Sequence, residues 1–171
     1  MEIISKRISK QDFVRSLDIY NYFVLKSLSN FEEKKLSINY FYSLYKKIKL
    51  NKLPFIIAKN KEDLIGIAFV NKFREKSGYR FTYEHSIYVN PSYMNQGYGS
   101  IIMNELIKEC KKNSNIKNLI AVIGGSNNIA SIKMHKKNGF RYVGTLKKIG
   151  FKKNKWIDSV YMQKKIWKKQ I

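Results

Sequence analysis

Residues 86–100 constrain what this chain can fold into more than any other stretch. Ser86-Ile87-Tyr88-Val89 reads as a strand with Ile87 and Val89 on one face, and Pro91 ends it. Gly97-Tyr98-Gly99 then leads into an amphipathic helix from about Ser100 to Lys112. Ile102, Leu106 and Cys110 form its apolar row, with Met103 and Ile107 beside them. Gly97 and Gly99 carry no Cβ, so the backbone there can approach a ligand closely. The helix start offers free N–H groups and the positive end of a dipole. Such a loop is either a tight turn or an anion cradle. Two cradle types are excluded. A Walker loop needs Gly-Lys-Ser/Thr, and Gly99 is followed by Ser100 and Ile101. A dinucleotide fingerprint needs a third glycine in register and a ribose-binding acid about twenty residues on, where the chain is apolar around Leu119.

The rest of the pattern predicts one continuous domain over residues 1–171, with no linker, repeat or low-complexity segment. A first strand is expected at Ile3–Ile8. A helix follows, capped by Ser9 with Asp12 in a Ser-x-x-Asp box and lined by Phe13, Leu17, Tyr20, Phe23 and Val24. A second helix is expected from Ile38 to Lys49, stopping before Pro54. Strands are expected at Phe55–Lys59, Leu64–Asn71, Tyr79–Val89 and Leu119–Ile123. Asn128 caps a helix from Ile129 to Asn138 that Gly139 ends, and two strands close the chain at Phe140–Lys148 and Trp156–Lys164. The order β-α-α-β-β-β-α-β-α-β-β argues an α/β fold with a mixed central sheet.

Composition narrows the setting. A chain of 171 residues with 44% hydrophobic content supports a sizeable core. No apolar run is long enough to span a bilayer, and Met1–Arg7 lacks a signal-peptide core, so a cytoplasmic protein is expected. The single Cys110 rules out an intrachain disulfide. Mid-helix beside Leu106, it reads as a buried packing residue rather than an acyl carrier. The net charge is +22. It is a solvated lysine surface, a field that steers an anionic ligand, or a nucleic-acid or acidic-membrane surface. The densest runs are Tyr45–Lys49, Lys152-Lys153 and Lys164–Lys169, and none carries an RNA- or DNA-reading motif.

The glycine loop resembles the acetyl-CoA loop of the GNAT N-acetyltransferases, Arg/Gln-x-x-Gly-x-Gly/Ala, with Met94 in the Arg/Gln position. Met94 has no side-chain donor for a phosphate, so the backbone must carry the contact. The run Gly78-Tyr79-Arg80-Phe81-Thr82-Tyr83-Glu84-His85-Ser86-Ile87-Tyr88-Val89 is similar to the phosphinothricin and methionine sulfoximine branch of that family. So are Asp18-Ile19-Tyr20-Asn21, the segment from Asn128 through His135 to Gly139-Phe140, and the later Gly144, Gly150, Lys152, Trp156-Ile157-Asp158 and Met162-Gln163.

That resemblance implies the GNAT fold: one domain with a mixed, mostly antiparallel sheet flanked by helices. It implies direct acetyl transfer from acetyl-CoA to the α-amine of a phosphinothricin- or methionine sulfoximine/sulfone-type acceptor, with no metal. Glu84 would be the general base, because an α-amine is mostly protonated at neutral pH. His135, where many relatives carry tyrosine, would donate to the leaving thiolate or relay a proton. His85 lies on the opposite strand face from Glu84 and is read as packing or as support behind the site. The backbone of Ile87, Tyr88 and Val89, the loop Asn95, Gln96, Gly97, Tyr98, Gly99 and Ser100, and the side chains of Asn128 and Ser131 would hold acetyl-CoA. Arg74 and Arg80 would clamp the acceptor carboxylate, with Phe73 in place of the usual tryptophan. A homodimer and a detoxifying, antibiotic-resistance role follow from the same branch. Two other readings stand beside this one. The first is a GNAT enzyme acting on a protein N-terminus, a polyamine or another antibiotic. The second is a basic GNAT-like module binding RNA or ribosomes, which the Glu84 and His135 pair argues against.

Overall fold

The computed structural model describes residues 1–5 and 7–167. Lys6, inside the first expected strand, and Lys168 and Lys169 of the basic tail lie outside the described residues. The elements are β1 (Glu2–Ile4), α1 (Lys10–Lys26), α2 (Ile38–Leu50), β2 (Phe55–Asn60), β3 (Asp63–Lys72), β4 (Thr82–Val89), α3 (Tyr98–Lys111), β5 (Asn118–Gly124), α4 (Ile129–Lys137), β6 (Arg141–Lys152) and β7 (Lys155–Lys165). This is the expected order. The seven strands form one sheet, β1-β2-β3-β4-β5-β7-β6, antiparallel throughout except for β4 against β5.

Local chemistry accounts for most element ends. The Ser9 hydroxyl accepts from the Asp12 N–H and donates to the Asp12 carboxylate, which closes the capping box. Ser37 caps α2 by accepting from the Tyr40 N–H. Four boundaries differ from expectation by two residues or more. Strand β1 ends at Ile4. Strand β4 begins at Thr82, because Ser77–Tyr79 close a 3₁₀ turn with the Tyr79 and Arg80 N–H groups donating to Lys76 and Ser77 carbonyls. Helix α3 starts at Tyr98, capped by Gly97 at φ +84°, a conformation open to glycine. Strand β6 runs on to Lys152, because register shifts after Tyr142 and Leu146 absorb residues that would otherwise end the pairing.

The core lies on both faces of β2 and β3. Phe55 and Phe69 stack at 5.4 Å, and Phe41 of α2 meets Phe55 edge-on at 6.1 Å, so α1 and α2 cover this face. Ile102, Met103, Leu106, Ile107 and Cys110 of α3 are buried on the other face. Alternation along β4 then sends Glu84, Ser86 and Tyr88 toward α1, and His85, Ile87 and Val89 toward α3 and α4.

One departure from a regular sheet decides the rest. The β4–β5 ladder holds only three registered pairs, Thr82–Asn118, Tyr83–Leu119 and Glu84–Ile120. Beyond Glu84 the two strands part. The second half of β4 keeps β3 on one side and has no registered partner on the other.

Candidate active site

The opening between β4 and β5 is a cavity of about 390 Å³. Its walls bring together residues far apart in sequence: Glu84, His85 and Ser86 of β4, Asn128, Ser131 and His135 at α4, and Asn30 to Glu32 of the α1–α2 loop. Ile87 and Ser131 also belong to a second groove of about 410 Å³ that runs out to Gly97, Gly99, Ser100 and Asn95. The glycine-loop groove and the cavity in the split sheet therefore adjoin at Ile87 and Ser131.

The outer groove is built for an anion. By helix geometry the first N–H groups of α3 have no partner four residues back. Asn138 donates to the Ser100 hydroxyl at 2.9 Å and to the Met134 carbonyl at 2.8 Å, which locks the end of α4 against the start of α3. The Ser100 O–H accepts there and keeps its own proton to donate. Met94 lines the groove as an apolar wall. Lys133 and Lys137, one helical turn apart on α4, line it as cations. Sequence reading missed both. Their i,i+4 spacing was the available signal, but a chain with 34 Lys and Arg hides two useful ones. Replacing both with glutamine is expected to raise the acetyl-CoA KM by roughly tenfold at low ionic strength, with a smaller effect in high salt. An unaltered KM at low salt would remove them from the groove's chemistry.

The inner cavity holds two titratable constellations. Burial raises the Glu84 carboxyl above its ordinary value, and the Arg74 guanidinium pulls it part of the way back. A buried carboxylate of this kind is a stronger base than a free one. His135 is 3% exposed, and its Nδ1 lies 2.7 Å from the Ser131 carbonyl. A carbonyl only accepts, so Nδ1 carries the proton and Nε2 presents a lone pair. That lone pair faces Nε2 of His85 at 2.9 Å, so His85 must donate from Nε2. Nδ1 of His85 has no hydrogen-bond partner among the described residues, and the nearby Ile120 backbone raises the pKa of this imidazole against its burial. Burial holds both imidazoles below their ordinary pKa, with the Ser131 carbonyl opposing it at His135 and the neighbouring ring reinforcing it at His85. His85 was expected as packing or support, and the structure seats it on His135 and in the cavity wall.

The other expected residues divide. Asn128 caps α4 by accepting from the Ser131 N–H at 3.3 Å and also lines the cavity. The Tyr88 hydroxyl accepts from Asn30 at 3.1 Å, so its phenol supports the α1–α2 loop. Val89 lines the outer groove. Gln96 donates back to the Ser92 carbonyl and Tyr98 packs edge-on against Tyr93, and neither lines a cavity wall. Arg74 and Arg80 are exposed, stacked over Phe73 and Phe81 at 5.0 and 4.6 Å. Neither they nor Phe73 line the inner cavity, although Arg74 is near enough to act on Glu84. Cys110 lies in the α3 core, where burial pushes its thiol up to about 12, as expected of a packing residue. Among the described residues no cluster of three His, Cys, Asp or Glu side chains is placed to hold a metal, and no helix is long and apolar enough to cross a membrane.

Comparison with known proteins gives the geometry its context. A protein-family model described as an acetyltransferase (GNAT) domain matches residues 6–161. A phosphinothricin N-acetyltransferase of Alcaligenes faecalis is 40% identical over 112 residues, 66% of this chain and 56% of its own length. The chain thus spans a little over half of that relative. An L-methionine sulfoximine/L-methionine sulfone acetyltransferase of Salmonella typhimurium is 27% identical over 154 residues, covering 90% of this chain and 89% of its own. The crystal structure of a GNAT superfamily phosphinothricin acetyltransferase from Sinorhizobium meliloti in complex with acetyl-CoA superposes with a TM-score of 0.88 at 30% identity, covering 96% of this chain and 89% of that one.

Proposed function

The chain belongs to the GNAT acetyltransferase family, and we propose that it transfers acetyl from acetyl-CoA directly to the α-amine of a small amino-acid-like acceptor of the phosphinothricin or methionine sulfoximine/sulfone type. The observation that carries this reading is that the groove at the glycine loop and the cavity holding Glu84 share Ile87 and Ser131 as walls, beside the parted strands β4 and β5. The residues present fit acetyl-CoA. Gly97, Gly99, the Ser100 hydroxyl, Lys133 and Lys137 suit its phosphates. Ile87, Val89, Asn128 and Ser131 line the way inward for an extended arm. When bound, acetyl-CoA supplies a thioester carbon open to attack by an amine.

The chain's own groups supply the rest. Glu84 takes the proton that makes the amine nucleophilic. The acidic inner wall, Glu32 and Glu84, favours an approaching ammonium. Arg74, near enough to act on the Glu84 carboxyl, is the cation assigned to the acceptor carboxylate. Arg80 is assigned the same role, although its guanidinium donates to the Ser77 carbonyl at 3.4 Å and lines neither the inner cavity nor the outer groove. For the thiolate as which coenzyme A leaves, His135 is assigned a relay rather than direct protonation, because Nδ1 is held by the Ser131 carbonyl and Nε2 faces His85.

The same reading extends to a cytoplasmic homodimer that inactivates an amino-acid-like antibiotic. The exposed apolar side chains Tyr142, Val143, Ile149, Phe151 and Trp156 on the outer hairpin β6–β7 support the dimer. The deciding experiment is acetyl-CoA-dependent thiol release with a panel of amino-acid analogues, polyamines and peptides. Release with phosphinothricin or methionine sulfoximine is expected. Light scattering on the same sample is expected to give twice the 20.2 kDa chain mass. Release with peptides or polyamines alone would keep the transfer chemistry and discard the acceptor class.

A further inference from the structure

We propose that Gly150 and Lys152 of β6 set the width of the acceptor cavity by clamping the α1–α2 loop. The proposal rests on the reading of the inner cavity as the acceptor site. The loop, residues 27–37, has no regular element of its own, yet Asn30, Phe31 and Glu32 form one wall of the cavity. Such a wall needs an external brace, because a loop without ladder or helix bonds opens at low cost.

Strand β6 provides the brace at two points on one face. Lys152 is 2% exposed, and its ammonium donates to the Asn30 carbonyl at 2.5 Å. Burial lowers its pKa, and the carboxylates of Glu32 and Glu33 work against that shift. Asn30 is itself 6% exposed and spends its side chain inside the site. Its amide donates to the Tyr88 hydroxyl at 3.1 Å, and its Oδ1 accepts from the Glu32 N–H at 2.8 Å. The charge on Lys152 thus fixes the residue that positions both Tyr88 and Glu32.

Two residues earlier, Gly150 lies flat against the Phe31 ring. A Cβ at Gly150 would overlap Phe31 Cε1 and sit 2.7 Å from Cδ1. No real contact is that short, so the ring, which lines the cavity, would have to move. The absent side chain at position 150 is what lets Phe31 take its present place in the cavity wall.

The test uses two variants with separate readouts. Gly150→Ala is assayed over acceptors that differ in side-chain bulk. The ratio of kcat/KM for a bulky acceptor to that for a small one is expected to fall about tenfold, the effect of one misplaced group in a pocket. The acetyl-CoA Kd is expected to stay unchanged. An unaltered ratio would overturn the assignment of Gly150. Lys152→Met is followed by hydrogen exchange, which needs no turnover and so stands even if the acceptor class is wrong. Backbone amides of residues 28–33 are expected to exchange about tenfold faster, as loss of a charged hydrogen bond predicts. Lys152→Arg is expected to restore most of the protection, and Ile102–Ile107 of α3 to keep theirs in both variants. Unchanged loop exchange would overturn the clamp. Acceleration that reaches α3 would also overturn it, by making Lys152 a support of the whole fold rather than of one wall.

Discussion

Glu84→Gln is expected to lower kcat by about 10²- to 10⁴-fold, the usual worth of a positioned general base. Acetyl-CoA affinity is expected to hold, because Glu84 lines the inner cavity and is absent from the outer groove. Glutamine keeps the shape and one acceptor oxygen but cannot accept a full proton at neutral pH. The raised carboxyl sharpens the test. In the wild type, kcat/KM should climb with pH through an ionisation above the ordinary carboxylate range, because only the deprotonated Glu84 can act. The acidic limb should vanish in the glutamine variant. Arg74→Gln removes the guanidinium that pulls the carboxyl down, so it should move that limb to higher pH. Single-turnover kinetics and calorimetric titration of acetyl-CoA separate the two readouts. Wild-type turnover in Glu84→Gln would strip Glu84 of the base role.

The second large effect concerns His85 and His135, the two histidines of the chain. His135→Ala is expected to reduce kcat about 100-fold, since it removes the imidazole beside the cavity and leaves the His85 Nε2 proton without its acceptor. The pair should also make the fold acid-sensitive. Both folded pKa values are depressed, while the unfolded chain has the ordinary value of about 6.5. Below that pH the unfolded state binds more protons than the folded one, so stability falls as pH falls. The slope approaches about 1.4 kcal/mol per pH unit for each histidine. Glu84, raised by burial, acts in the opposite sense near its own titration, so the comparison must be with a histidine-free variant. Urea unfolding between pH 7.5 and 5 should show a steep loss in the wild type and a shallower one in the His85→Phe/His135→Phe double variant. Equal slopes would mean that the pair is not held neutral in the native state.

Much of this architecture is legible in the sequence because local chemistry sets it. The Ser9–Asp12 box, the Ser37 and Asn128 caps, Gly97 and Gly139 each bound a helix through contacts within four residues. The unbroken apolar runs of β2 and β3 mark strands buried on both faces. The glycine loop stands out because Gly97, at φ +84°, takes a backbone conformation that favours a residue without a Cβ.

What escaped sequence reading depends on where unrelated segments meet. His85 and His135 are 50 residues apart, and only the packing of α4 on β4 turns a residue expected as packing into the partner of an expected catalytic one. Lys152 and Asn30 are 122 residues apart, and no periodicity announces a lysine buried to 2% beneath a loop. Lys133 and Lys137 become distinct from the other lysines only once α4 lies beside the glycine loop.

The sequence by itself determined the order of elements, their caps and the cradle for an anion, because these depend on residues near one another along the chain. Only the tertiary structure decided that β4 and β5 part after Glu84, and so where the cavity lies and which side chains face it. The physical reason is that hydrogen-bond register between strands is a long-range choice, set by the packing of α3, α4 and the α1–α2 loop around the sheet.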